Sequence, residues 1–71
     1  MARVKIIYKL TRPYDDSMSS AVERVYSTKG IHGVEFQGLS TVEIEYDASR
    51  LVAADVDRIL QANGMPGNRK D

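Results

Sequence analysis

At 71 residues the chain is long enough for one domain and close to the lower limit for a core that folds without covalent staples. It has no cysteine, which excludes disulfides, thiolate metal sites and thiol chemistry. Ten basic residues balance ten acidic ones, so no global field draws the protein to nucleic acid or to an anionic membrane. The apolar runs are too short to span or insert into a bilayer. Met1-Ala2-Arg3 leads directly into a strand pattern with no signal peptide visible, so the expected compartment is the cytoplasm.

Val4, Ile6, Tyr8 and Leu10 alternate with Lys5, Ile7 and Lys9, the period-two mark of a strand with one buried face. Arg12-Pro13 ends it, because the residue before proline is pushed out of the helical region. Met18, Ala21, Val22, Val25 and Tyr26 then recur on one helical face. Asp15, Asp16 and Ser17 have the chemistry of caps for that helix, and Lys29-Gly30 supplies its stop. Val34 and Phe36 alternate with Glu35 and Gln37, Gly38-Leu39-Ser40 is a tight turn, and Val42, Ile44 and Tyr46 alternate with Glu43 and Glu45. These segments predict a hairpin. Asp47-Ala48-Ser49 has cap chemistry for a second helix whose buried stripe is Val52, Val56, Ile59 and Leu60. Asn63-Gly64 closes that helix and Pro66 forbids its continuation.

The expected fold class is therefore α+β, a ferredoxin-like split βαβ sandwich in the order βαββα. Two helices lie on one face of an antiparallel sheet, and the fourth strand is short or absent. Residues 1–66 form the domain in this reading, and residues 67–71 are a disordered polar tail. On the open face Lys5 and Lys9 are expected to meet Glu43 and Glu45. If the fourth strand is absent, the first strand is an edge able to recruit a partner, a second copy included.

The loop between first strand and first helix is the candidate functional segment, because a rigid sheet and helix position it while leaving it open to solvent. Asp15 and Asp16, with Met18 beside them, are the candidate metal ligands; as cap and core residues they have an equally direct structural role. Arg12 and Tyr14 are the candidate partner-binding residues, since Arg and Tyr are favoured at interface hot spots. His32, the single histidine, is expected in the loop entering the second strand, at the far end of the first helix. No Ser-His-acid arrangement and no phosphate loop is present, so the chain is not expected to be an enzyme. The outward strand positions are Lys, Ile, Glu and Gln rather than aromatic, which disfavours single-stranded nucleic acid.

The spacing also resembles a family, the heavy-metal-associated domain of soluble copper chaperones and metal-pumping ATPases. Its pattern is Gly-Met-x-Cys-x-x-Cys, then a helical Val-Glu, then a Gly-Val entering strand two. Val22-Glu23 and Val25 match the helix, Gly30-Ile31 matches Gly-Val without a gap, and Val42-Glu43-Ile44-Glu45-Tyr46-Asp47 resembles strand three. Ile59-Leu60-Gln61-Ala62-Asn63-Gly64 resembles the end of the second helix, so the likeness covers residues 3–65. The same alignment sets Asp15 and Met18 where the two cysteines belong. The resemblance implies a cysteine-less, degenerate metal-transport or metallochaperone-like domain, with at most weak non-thiolate metal binding at this loop. A metal ion is the only cofactor it implies, and a metal transporter or a second copy the protein partner. The alternative is a metal-independent interaction or regulatory module that docks through residues 12–18 or through the edge of the first strand.

Overall fold

A computed structural model describes residues 2–70. The chain runs β1 (Arg3–Leu10), a single 3-10 turn (Asp16–Met18), α1 (Ser19–Tyr26), β2 (Ile31–Phe36), β3 (Thr41–Asp47), α2 (Ala53–Ala62) and β4 (Gly67–Lys70). The four strands form one antiparallel sheet in the order β2-β3-β1-β4. With two helices covering one face, this is the ferredoxin-like arrangement that the alternation predicts.

β1 and β3 set the register. Tyr8 lies opposite Val42, Ile6 opposite Ile44 and Val4 opposite Tyr46. Because side chains alternate across a strand, this register sends all six towards the helices. β2 continues the layer with Val34 opposite Ile44 and Phe36 opposite Val42. Met18, Ala21 and Val25 of the first helical segment, and Val56 and Leu60 of α2, close over them, with Met65 completing the core. Each such fully buried aliphatic side chain contributes roughly 1.5–3 kcal/mol. Two residues expected in the stripes are outside it: Tyr26 is 57% exposed and Val52 61% exposed, each at the end of a helix where the face turns away from the sheet.

The tail expected beyond residue 66 is instead a strand as far as Lys70; Asp71 lies outside the described residues. Gly67 pairs with Leu10 and Lys70 with Ile7, so β1 is an interior strand over its second half rather than an edge. The reason is tertiary. Thr11 donates from its backbone N and its hydroxyl to the Pro66 carbonyl at 3.0 and 3.2 Å, and Arg69 Nε lies 3.2 Å from Asp57 Oδ2 on α2. Gly67 permits the approach, since a Cβ there would stand 2.5 Å from the Lys9 carbonyl oxygen.

The turn into α2 also differs from expectation. Asp47 is buried, and its carboxylate accepts from Ser49 N at 2.9 Å and Ser49 Oγ at 2.6 Å, holding a turn rather than capping the helix. The helix starts later, and its first turn is closed by Val52 N donating to Asp55 Oδ2 at 3.0 Å. Gly30, at φ +98°, lets the chain pass Leu51, whose Cδ1 would stand 2.9 Å from an added Cβ. On the open face Lys5 Nζ lies 3.8 Å from Glu43 Oε1, but Lys9 stands opposite Thr41 and not a glutamate. Tyr8 is fully buried, and its hydroxyl has no hydrogen-bond partner among the described residues.

Two substitutions test this packing. Gly67→Ala is expected to push β4 off β1 and to lower unfolding free energy in urea by about 1–3 kcal/mol. Faster amide exchange at Lys9 should accompany the loss. Tyr8→Phe removes a buried group that makes no bond, so the unfolding free energy in urea is expected to stay unchanged or rise, by up to about 1 kcal/mol.

Candidate functional site

The segment from Thr11 to Met18 is held from both sides. Leu10 N donates to the Ser40 carbonyl at 2.7 Å and Tyr14 N to the Leu39 carbonyl at 2.6 Å, so the loop is stitched to the β2–β3 turn. The Tyr14 ring meets Phe36 edge to face, with centroids 4.7 Å apart and planes at 60°. Such a pair is worth about 0.5–1.5 kcal/mol beyond the area it buries. Tyr14 is thus half-buried, an anchor of the loop more than a free contact residue. Arg12 and Pro13 remain exposed.

Asp15 caps the 3-10 turn. One carboxylate oxygen accepts from Ser17 N at 2.9 Å and from the Ser17 hydroxyl, and the other lies 3.8 Å from an Arg12 guanidinium nitrogen. The backbone carbonyl of Asp15 accepts from Met18 N at 3.0 Å, and that of Asp16 from Ser19 Oγ at 3.0 Å. Donation by the Ser17 side chain, helped by the Ser17 N–H and the Arg12 charge, holds the Asp15 carboxyl below its ordinary 3.8. The side chain of Asp16 points to solvent-exposed surface, whereas Met18 is 1% exposed and belongs to the core.

The three sequence-predicted metal ligands are therefore near in sequence but differently committed. Among the described residues no group of three or more His, Cys, Asp or Glu side chains is disposed to hold an ion. The donor chemistry does not fit a metal either: hard cations ask for six or more oxygens, and soft ones for thiolates. His32 belongs to β2 itself, where the register shifts between Ile31 and Gly33, and not to the loop before it. It lies at the end of the sheet where Ile31 meets Tyr46, opposite the Phe36 end that Tyr14 touches.

One surface residue was missed from sequence. Leu39, at the turn that receives the Tyr14 N–H, is 66% exposed. A leucine between glycine and serine at a hairpin tip, where polar residues are usual, was the available signal. The loop end of the molecule thus presents Arg12, Pro13, Asp16 and Leu39 on a backbone fixed by hydrogen bonds.

No family model and no curated protein matches the sequence. Among solved structures the chain is similar to oxidised MerP from Ralstonia metallidurans CH34, with a TM-score of 0.81 and 10% identity. The match covers 99% of this chain and 100% of that one. At that identity the likeness is one of fold, the same two helices on a four-stranded antiparallel sheet. No helix among the described residues is long and apolar enough to cross a membrane.

Acid titration checks the cap. Asp15 and Asp47 are both depressed, Asp47 by the Ser49 hydroxyl first, then the Ser49 N–H, with His32 and Arg50 adding in the same direction. A carboxyl whose native value lies below its unfolded one stabilises the fold fully above the unfolded value and ceases to do so as pH falls through the native value. Carbon-detected NMR is expected to give both groups midpoints below 3.8. Ser17→Ala should move the Asp15 midpoint up and leave that of Asp47 in place.

Proposed function

We infer that this protein is a degenerate heavy-metal-associated domain that works as a protein-docking module, acting in the cytoplasm beside metal-transport machinery and not carrying the ion itself. The observation behind this reading is the commitment of the loop's donors. The Asp15 carboxylate is engaged by Ser17 and Arg12, while the Met18 thioether lies in the core. What this end still offers outward is a guanidinium, a proline, the Asp16 carboxylate and an exposed leucine on a backbone fixed by hydrogen bonds. Those groups suit a small recognition patch, because a pre-ordered loop loses little freedom on binding. The frame of a carrier is kept and its ligands are not. A metal transporter is the partner suggested by the family resemblance.

Two measurements test the inference. Amide NMR signals of residues 15–18 are expected to stay in place when Zn(II) or Cu(I) is added to about 100 μM, or Ca(II) or Mg(II) to about 5 mM, above the weakest built calcium sites at about 1 mM. A saturable micromolar shift centred on Asp15 and Asp16 would restore the carrier reading. A photo-crosslinking amino acid in place of Leu39 should give a discrete protein adduct in cells, reduced by Arg12→Ala, while the same probe in place of Ser20 gives none. Equal labelling from both positions counts against docking through this end.

A further inference from the structure

The two edges of the sheet are unlike each other. β4 is short, polar and tied to α2 by the Arg69–Asp57 pair. β2 pairs with β3 alone, so one row of its backbone N–H and C=O groups has no strand beside it. Such an edge is a template for a further strand unless the sequence blunts it. The register shift between Ile31 and Gly33 blunts its start, but from Gly33 to Phe36 the strand is regular.

The charge beside this edge is mostly negative, three carboxylates to one lysine, Lys5, which stands opposite Glu45. On the open face Glu35 stands directly opposite Glu43, and Glu45 stands opposite Gly33. Like charges facing each other across strands destabilise the sheet. Lys5 lies 3.8 Å from Glu43, and among the described residues neither Glu35 nor Glu45 has a cation within 4.0 Å. These carboxylates border a concavity of about 200 Å³ over Gly33, which also takes in Lys5, Tyr26, His32 and Val34. Tyr26 is 57% exposed there.

We propose that β2 is a strand-addition site for an extended, basic segment of a partner protein. The added backbone pairs with Gly33–Phe36 at the usual strand spacing of about 4.8 Å. Alternate side chains of the segment fall on the open face, where a lysine or arginine lies beside Glu35 and reaches across the side-chain-free Gly33 to Glu45. The intervening apolar side chains rest on Tyr26 and Val34. A second copy of this chain is the wrong occupant: pairing β2 with its own twin sets the Glu35 carboxylates against each other, with no cation added. This surface is separate from the Arg12–Leu39 end, so either assignment can fail without the other.

The probe is the blocked hexapeptide Lys-Val-Lys-Val-Lys-Val, titrated against isotopically labelled protein. Saturable amide shifts are expected at Gly33, Val34, Glu35 and Phe36, weakening as salt is raised. The peptide Glu-Val-Glu-Val-Glu-Val, of matching alternation, should give none. The double variant Glu35→Gln, Glu45→Gln keeps side-chain size and should bind the basic peptide roughly fivefold more weakly. Unchanged signals outside the site certify that the variant is folded. Absence of shifts at several millimolar peptide overturns the proposal. So do equal shifts with the acidic peptide, shifts centred on residues 12–18, or a sedimentation dimer whose contacts protect β2.

Discussion

The pairing of β1 with β3 is the constraint from which the rest follows. It is the one junction in the sheet between strands that have further neighbours, and its register points Tyr8, Ile6 and Val4 to the same side as Val42, Ile44 and Tyr46. A slip of one residue would turn Lys5, Ile7 and Lys9 into the helices and Tyr8 into water, so the apolar pattern admits a single answer. Both helices then have a face to cover. β1 also ends where β3 begins, at Leu10, so the outgoing loop lies against the incoming β2–β3 turn and two short backbone hydrogen bonds join them.

That junction gives the loop its character. A strand-to-helix connection in open solvent would sample many shapes. This one is tied at Leu10 and Tyr14 to the turn, at Thr11 to Pro66, and by its own Asp15 cap to Ser17. Two of the three candidate metal donors, Asp15 and Met18, are consumed in building the loop. A carboxylate that accepts two hydrogen bonds and a guanidinium has little left for a cation, and a thioether in the core serves as filling material. The likeness to MerP in fold does not extend to the chemistry of this loop, because the frame rests on the strands and function on a few exposed groups.

The alternating strands and the helical stripes were legible because burial on one face writes a period into the sequence, as in Val42-Glu43-Ile44-Glu45-Tyr46. β4 was not. Gly67-Asn68-Arg69-Lys70 has no period and no apolar residue; it becomes a strand because β1 has backbone groups to satisfy and glycine allows the approach. Asp47 was legible as a turn-former but not as to which turn, since an aspartate that caps a helix and one that holds an Asx turn use the same bonds. Met18 illustrates the limit at the site. The family resemblance sets it at the position of a ligand and the helical period sets it in the core stripe; its burial decides for the core.

The placement of β4 has a consequence for how the molecule is made. The strand that enters the sheet first in the sequence receives its second neighbour from the last described residues, so the sheet closes through contacts of the greatest sequence separation that the chain has, and such contacts form slowly. Until residues 67–70 pair, one side of the β1 backbone from Ile7 to Leu10 lacks its strand partner. The four-residue strand is the clasp of the sheet, and a chain lacking it would carry an open rim.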